Sequence, residues 1–201
     1  MKSYHHGNLS SAILERAAAI IDEQGIEALS LRGIAKDLGV SHSAPNRHFK
    51  NKAALLSALA TDGWLKACAA TLDAAEDAES ENAHVRLNAM GRGYLRWALD
   101  NRALFRAIYH PDVSRQASPE LLEAIKQFSE TVKQAIEATQ AEGRHANVPL
   151  SALTIFTNAV PTGAALLLLD SLVGEAMNED MDQDELIEHV INLVVSLPEP
   201  L

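Results

Sequence analysis

The stretch Ser30–Lys52, SLRGIAKDLGVSHSAPNRHFKNK, decides how this chain folds. Its first apolar residues lie on one face of a helix, at the spacing i, i+3, i+4 and i+7: Leu31, Ile34, Ala35 and Leu38. Ser30 directly precedes them and can accept a hydrogen bond from the first helical turn. Gly39 follows them, and glycine readily adopts the left-handed conformation that ends many helices. The stretch therefore predicts a short helix closed by a glycine turn.

A second, polar helix of about two turns is predicted over residues 42–48, directly after the glycine turn. Ser41 is its expected cap, and Ala44 and Phe49 are expected to dock it onto its neighbours. A helix this short is unstable alone, so its remaining side chains are expected to face outward. This layout is that of a helix-turn-helix, whose second helix enters the DNA major groove. The alternative is a solvated polar turn between two helices.

The residues expected to contact DNA carry groups that donate to phosphates or to base edges. Lys52 adds a cation at the first turn of the next helix, where free backbone N–H groups also favour phosphate. An ordinary solvated lysine is the alternative reading of Lys52. The predicted contact residues are Tyr4, His5, Arg32, Ser41, His42, Ser43, Asn46, Arg47, His48 and Lys52.

These features resemble the DNA-binding domain of the tetracycline-repressor (TetR-type) family of bacterial transcription regulators. The matching segments are SLRGIAKDLGVS at 30–41, RHF at 47–49 and Lys52 opening a long helix, and YHHGNL at 4–9 is similar to one branch of the family. The resemblance implies a homodimer that binds double-stranded DNA and responds to a small effector. Asn46 stands where the family usually has an aromatic, most often a Tyr that contacts the DNA backbone, and asparagine can instead pair with adenine.

The charge distribution suits a DNA reader despite the net charge of −10. Residues 1–60 hold seven Lys and Arg against five Asp and Glu, so this part carries +2 and the remaining residues carry −12. A weakly basic N-terminal region can approach DNA, while the acidic remainder is repelled by the phosphates. Nonspecific affinity should be modest and should depend strongly on salt.

The rest of the 201-residue chain shows helical periodicity without the alternation typical of strands. The predicted fold class is all-α, with about nine helices in total. Residues 1–50 are expected to form the DNA-binding domain, and residues 51–201 the effector-binding and dimerisation domain. Outside the helix-turn-helix, helices are predicted over residues 9–24, 52–75, 83–99, 102–109, 119–142, 149–172 and 185–197, with a loop over 110–119.

Catalytic, cofactor and membrane signals are missing from the sequence. It contains no glycine-rich phosphate loop, nucleophile elbow or HExxH pattern, so neither an enzyme nor a cofactor is expected. The eight histidines lack partners at metal-ligand spacing, so no metal site is predicted. Cys68 is the single cysteine, which favours a reducing compartment. The apolar run 159–169 is too short to span a bilayer, so a cytoplasmic protein without a membrane partner is expected.

The last two helices are apolar on more than one side, and such helices must be buried on more than one side. A twofold interface with two helices from each subunit would bury this surface, as the last two helices do in the resembling family. A central core helix in a monomer is the alternative. The predicted interface residues are Leu153, Val160, Ala164, Leu167, Ile187, Val190, Ile191 and Val194.

Polar groups beside Pro161 and aromatic residues on neighbouring helices predict an effector cavity, since ligand sites have mostly apolar walls with a few polar groups. The alternative is a packed aromatic core with satisfied polar atoms. No Arg or Lys falls on these faces, so a small, mainly apolar effector is expected and a strongly anionic one is disfavoured. The predicted lining is Met90, Tyr94, Trp97, Phe105, Tyr109, Phe128, Phe156, Asn158 and Thr162.

Together these patterns predict a ligand-responsive transcription regulator. The favoured form is a dimeric repressor that binds a palindromic operator and is released by its effector. The alternative is an all-α small-molecule carrier or enzyme without operator-specific DNA binding. DNA binding that strengthens steeply as salt is lowered, and that survives competitor DNA, separates the two.

Overall fold

The computed structural model describes residues 9–115, 117–170 and 182–195, with side chains up to residue 193. Within these ranges the regular elements are all helical, which confirms the predicted fold class. Two short 3-10 helices, Ile26–Ala28 and Pro45–Arg47, accompany the α-helices. The α-helices are α1 (Leu9–Gln24), α2 (Leu31–Asp37), α3 (Lys52–Asp77), α4 (Ala83–Asp100), α5 (Arg102–Ile108), α6 (Pro111–Arg115), α7 (Pro119–Ala141), α8 (Leu150–Leu169) and α9 (Gln183–Val195).

The chain forms two compact units, and it passes from one to the other inside α3, between α4 and α5, and inside α7. The first unit takes in the described residues up to Trp64 together with Asn101–Ile125. The second takes in Leu65–Asp100 and the described residues from Lys126 onward. The expected division at residue 50 concerns function and stays a prediction.

In the first unit, α2 begins and ends as the sequence predicts. The Ser30 hydroxyl accepts a hydrogen bond from the Gly33 amide at 3.1 Å. Gly39 has a φ of 66°, which favours glycine. The Gly39 amide donates to the Lys36 carbonyl at 3.1 Å and the next amide donates to the Ala35 carbonyl at 3.0 Å. These paired bonds are a Schellman closure, which satisfies carbonyls that the helix end leaves open.

Two local predictions for the first unit are wrong in part. The predicted loop after α5 contains the short helix α6, because Pro111 is already in helical conformation at a first-turn position and Asp112 follows it. Asn101 precedes α5 as predicted, but its side chain makes no capping bond; its carbonyl accepts from the Phe105 amide at 2.9 Å. Ser118 does cap α7, accepting from the Leu121 amide at 3.2 Å.

In the second unit, α4 packs against both α8 and α9. The later part of α3 also lies very close to α4. A Cβ placed on Gly93 would lie 2.6 Å from the Ala70 carbonyl oxygen and 2.6 Å from Ala74 Cβ. Only a residue without a side chain therefore allows this approach. Gly143 closes α7 in the same manner as the glycine that closes α2, with a φ of 91°.

Helix α8 lies within the predicted range 149–172 and contains the apolar run 159–169. It has 20 residues with a mean hydropathy of 1.7 in its best window, so length and composition alone would allow it to cross a membrane. The run 159–169 alone is too short to span a bilayer, whereas the whole helix is long enough. Only 11% of the window is buried within this chain. Four large apolar side chains of α8, Ile155, Phe156, Leu166 and Leu167, are exposed in the single chain.

Candidate nucleic-acid interface and ligand cavity

The second helix of the predicted helix-turn-helix is shorter than expected. A turn over residues 42–44 leads into the 3-10 helix Pro45–Arg47. Proline has no N–H, so Pro45 cannot make the α-helical bond to the Ser41 carbonyl. That carbonyl instead accepts from the Ala44 amide at 2.9 Å, and the Phe49 amide reaches the Pro45 carbonyl at 2.9 Å. Pro45 thus tightens the segment into a single compact turn.

This turn has a buried inner face and a polar outer face. Pro45 and Phe49 are buried and Ala44 is half-buried, so Pro45 joins the two predicted docking residues. The turn packs against α1 and α2. The polar side chains around it are all exposed, and Arg32 on α2 is exposed as well. We call this set the recognition surface: Arg32, Ser41, His42, Ser43, Asn46, Arg47 and His48.

Lys52 differs from the solvated lysine that was the alternative for it. It is half-buried, and its Nζ lies 3.5 Å from Oε2 of Glu27. The side-chain oxygen of Asn51 accepts from the Ala54 amide at 2.8 Å, so one N–H at the start of α3 is already satisfied. The predicted contacts Tyr4 and His5 lie outside the described residues.

One long-range ion pair joins α1 to α2, and a second ion pair of the same arginine lies within α1. Nε of Arg16 on α1 donates to Oδ2 of Asp37 at the end of α2 at 2.8 Å. The same guanidinium lies 3.3 Å from Glu23. The hydrogen bond that Arg16 donates to Asp37 and the neighbouring carboxylates raise the pKa of Arg16. Apolar residues of both helices are buried beside these ion pairs, including Ile13, Ile21 and Ile34.

The second unit contains a cavity of about 100 Å³ between α4, the end of α7, α8 and α9. One part of its wall is apolar and the other is polar and basic. The apolar part comprises Leu87, Ile136, Leu153, Phe156 and Ile191. The polar part, called here the basic end, comprises His84, Asn88, Thr139, Gln140, Arg144 and His145.

Hydrogen bonds hold the basic end in place. Nε2 of Gln140 donates to the carbonyls of His145 at 3.0 Å and Val148 at 2.9 Å. Nε2 of His84 lies 3.3 Å from the side-chain amide of Asn88. Burial lowers the pKa of His84, and the nearby charges of Arg144 and His145 lower it further, against a smaller opposite effect of Glu142.

A second, smaller cavity of about 20 Å³ adjoins the first and shares Leu87 and Thr157 with it. Four of the predicted effector residues line it: Met90, Tyr94, Phe128 and Asn158. Its volume accommodates about one water molecule. The hydroxyl of Thr162 donates to the Tyr94 hydroxyl at 3.3 Å. This region is mostly packed core, which was the alternative for these residues.

The other predicted effector residues divide between the two units. Phe156 lines the larger cavity, and Trp97 is buried with its ring 5.9 Å from that of Tyr94. Phe105 and Tyr109 belong to the first unit, where their rings lie 5.0 Å apart. They therefore line neither cavity. The prediction was wrong for these two residues because helical spacing identifies the apolar side of α5 but not the unit that buries it.

The basic end was not predicted from the sequence. Arg144 and His145 lie in a polar connector between α7 and α8, and that connector looked like a solvated link. Gly143 was the available signal, since a glycine closure turns the following residues back across the helix end.

The predicted interface residues differ in how far they are exposed in the single chain. Ile187 and Ile191 are buried within their own unit, so a second copy could not contact them without rearrangement. Leu153, Val160, Ala164 and Val190 are half-buried, and Leu167 is exposed. The side chain of Val194 lies outside the described residues. The most exposed large apolar side chains of α8 and α9 are Ile155 and Leu193, at 71% and 70%.

Two family models match this chain, one over the helix-turn-helix and one over the helices that line the cavities. The model described as "Bacterial regulatory proteins, tetR family" matches residues 13–59, and "Tetracyclin repressor-like, C-terminal domain" matches residues 87–194. This chain belongs to the TetR family. It is accordingly a transcription regulator with a helix-turn-helix DNA-binding domain and a C-terminal ligand-binding domain.

Solved structures show the same fold as this TetR-family regulator. A Rhodococcus sp. RHA1 protein of unknown function shares 30% identity and a TM-score of 0.80, covering 96% of this chain and 97% of its own. A tetR-family regulatory protein from Rhodococcus RHA1 shares 22% identity and a TM-score of 0.73, covering 92% and 94%. The fatty acid degradation regulator FadR of Bacillus halodurans shares 14% identity and a TM-score of 0.72, covering 99% and 100%. No match was found among curated proteins.

Proposed function

We propose that this TetR-family regulator is a homodimeric repressor, which binds a palindromic operator and leaves it when a small organic molecule fills the larger cavity. The observation that carries the DNA-binding half is the recognition surface. Its polar side chains all face outward over the buried Pro45 and Phe49. A surface of this kind has no role in packing its own unit, whereas its donors suit phosphates and base edges.

Dimerisation is supported by the apolar surface that α8 and α9 leave uncovered. Ile155, Leu166, Leu167 and Leu193 are all exposed in the single chain. Burying these side chains against a second copy would remove apolar area from water without a membrane. In a dimer, two recognition surfaces about 34–36 Å apart would enter successive major grooves of a palindromic site.

Effector control is supported by the course of two helices. Both α3 and α7 begin in the first unit and end in the second. A ligand that binds one arrangement of these helices more tightly shifts the population toward it. Coupling of about 1–3 kcal/mol between the cavity and the operator would be typical.

The test is operator selection followed by release. Genomic fragments bound by the protein would be selected, and their affinity measured by fluorescence anisotropy over a series of salt concentrations. The proposal expects a palindromic site and a steep loss of affinity with salt. Small molecules that raise the melting temperature should also release the fragment, since a ligand held only by the folded state stabilises it. Binding that is independent of sequence would contradict the operator.

Membership of a family of regulators favours this function over the alternative of a carrier or enzyme. The proposed site of action is the cytoplasm, where bacterial DNA lies.

A further inference from the structure

The larger cavity has a distribution of charge that a purely apolar effector does not explain. Arg144, His84 and His145 line one part of its wall, while Leu153 and Phe156 line another. No carboxylate side chain contributes to the wall, as far as the structure describes the chain. The cavity therefore combines a cationic end with an apolar body, and its complement is a molecule with an anionic head and an apolar tail.

Arg144 is positioned by the backbone rather than by a flexible loop. The Gly143 amide donates to the Gln140 carbonyl at 2.9 Å, and the Arg144 amide donates to the Thr139 carbonyl at 3.3 Å. The side chain of Gln140 then ties down the next residues of the connector through the His145 and Val148 carbonyls. These bonds fix the main chain from which the Arg144 side chain extends, so ligand binding need not order the backbone there.

The Arg144 side chain also has an unused donor. Its Nε is buried, and within the described residues it has no hydrogen-bond partner. No described Asp or Glu lies within ion-pair distance of its guanidinium, either. A buried donor without an acceptor is costly, and a ligand oxygen at this position would satisfy it. Burial is the largest cause of the lowered pKa of His84, and the neighbouring charges of Arg144 and His145 lower it further.

We infer that the larger cavity binds an organic carboxylate with an apolar body, its carboxylate at Arg144 and its hydrocarbon part against Leu153, Phe156 and Ile191. The planar fork of arginine matches a carboxylate with two parallel hydrogen bonds. This inference rests on the proposed function only in taking the cavity to be the effector site. It keeps the expected apolar body but replaces the expectation that an anionic ligand is disfavoured.

The experiment compares three probes of graded chemistry by isothermal titration calorimetry on the full chain. Octanoate carries both the head and the tail, octanamide keeps the tail with a neutral head, and acetate keeps the head without the tail. Octanoate should bind the wild type at least about tenfold more tightly than octanamide, as expected for hydrogen bonds to a charged group. Acetate should bind far more weakly than octanoate, because it buries almost no apolar surface.

Variants assign the preference to Arg144. Arg144→Gln should bind octanoate and octanamide about equally, and Arg144→Lys should retain part of the preference because it keeps the charge but not the fork. Arg86→Gln is the matched control: it removes the same charge from an exposed position on α4 outside the cavity wall. It should keep the full wild-type preference.

Three outcomes would overturn the inference. The first is wild-type protein that binds octanamide as tightly as octanoate, the second is wild-type protein that binds neither, and the third is a folded Arg144→Gln variant that keeps the preference for octanoate. The first two need no variant, so a variant that fails to fold leaves the test intact. Operator binding is measured separately on the ligand-free protein. Its loss would refute the proposed regulator, whereas a neutral-ligand result with intact operator binding would refute the anionic head alone.

Discussion

The ammonium of Lys52 lies 3.5 Å from Oε2 of Glu27, so the cation at the start of α3 already has a carboxylate partner. Glu27 is 86% exposed and also lies 3.9 Å from Nε2 of His110. A DNA phosphate that approaches Lys52 must therefore compete with a solvated carboxylate. Exposed ion pairs of this kind contribute little stability, so Glu27 is better understood as a modulator of DNA affinity than as a stabilising contact.

Glu27→Gln should raise operator affinity. Removing the carboxylate leaves Lys52 available to phosphate, and the gain should be up to about fivefold, given the small free energy of exposed pairs. Lys52→Ala should lower affinity for every sequence and reduce the salt slope by about one. Fluorescence anisotropy across a salt series measures both effects. Glu81→Gln, at an exposed position in the second unit, is the control for net charge. An unchanged affinity in Glu27→Gln would show that the carboxylate does not compete.

Asn46 and Arg47 should have different effects on DNA binding, although both are exposed on the same 3-10 helix. Asn46→Ala should lose about 1–3 kcal/mol at one base pair of the operator and little elsewhere, if the amide pairs with adenine. Arg47→Ala should instead weaken binding to all sequences alike, as a phosphate contact does. Competition among operator variants with single base changes measures the difference. A uniform loss in Asn46→Ala would assign its side chain to the DNA backbone.

Ile155→Glu or Leu193→Glu should convert the dimer into folded monomers. Both side chains are exposed in the single chain, so a charge there costs nothing until a partner covers it. Leu122→Glu is the control, since Leu122 is also exposed but lies on α7 in the first unit. Sedimentation velocity at micromolar concentration distinguishes the species. A wild-type monomer, or dimers in both α8 and α9 variants, would contradict the interface.

Gly93→Ala should destabilise the fold. Its new methyl group would lie 2.6 Å from the Ala70 carbonyl oxygen, and a backbone atom cannot easily move aside. Overpacking of this kind costs roughly 1–3 kcal/mol, which the midpoint of urea unfolding reports. Gly91→Ala is the comparison on the same helix, because there the added methyl group meets the end of the Ile191 side chain at 3.3 Å. Equal midpoints for the two variants would mean that α3 and α4 lie further apart than described.

The histidine of the basic end should make stability depend on pH. The pKa of His84 is lowered in the folded chain below the ordinary value of about 6.5. The contribution of His84 to the free energy of unfolding is therefore full above that pH. It falls as the pH drops below it, because the unfolded chain takes up a proton more readily than the folded chain does. The loss levels off once the pH has passed the folded pKa.

Two variants should change that dependence. In Arg144→Gln, the pKa of His84 should rise toward its ordinary value, since the arginine charge is one of the causes that lower it. In His84→Gln, this part of the loss of stability at low pH should disappear. Titration of the His84 ring by NMR and urea unfolding at several pH values measure the two effects. A His84 pKa that is the same in wild type and Arg144→Gln would place the guanidinium away from the ring.

Near-neighbour chemistry accounts for what was predicted correctly. Ser30, Asn51 and Ser118 carry a side-chain oxygen just before a helix, and Gly39 and Gly143 supply a left-handed turn just after one. These signals act over a few residues, so they can be found without knowing the fold. They located the starts of α2, α3 and α7 and the ends of α2 and α7, while helical periodicity predicted the all-α class.

Pro45 shows where local reasoning failed. A proline is tolerated in the first turn of a helix, and this made a two-turn helix over residues 42–48 look acceptable. In the structure Pro45 is buried between the turn and its neighbours, and the segment closes with tighter hydrogen bonds. The choice between the two conformations depends on packing against α1 and α2, which the local sequence does not contain.

The cavity was decided by tertiary structure alone. Helical periodicity showed that α8 and α9 are apolar on several sides, but it could not say which side another helix covers. Packing buried Ile187 and Ile191 inside the unit and left Ile155 and Leu193 exposed. Packing also brought Arg144 to the same cavity wall as His84 and Phe156. These residues are distant in the chain, and only the burial of apolar surface between helices brings their side chains together.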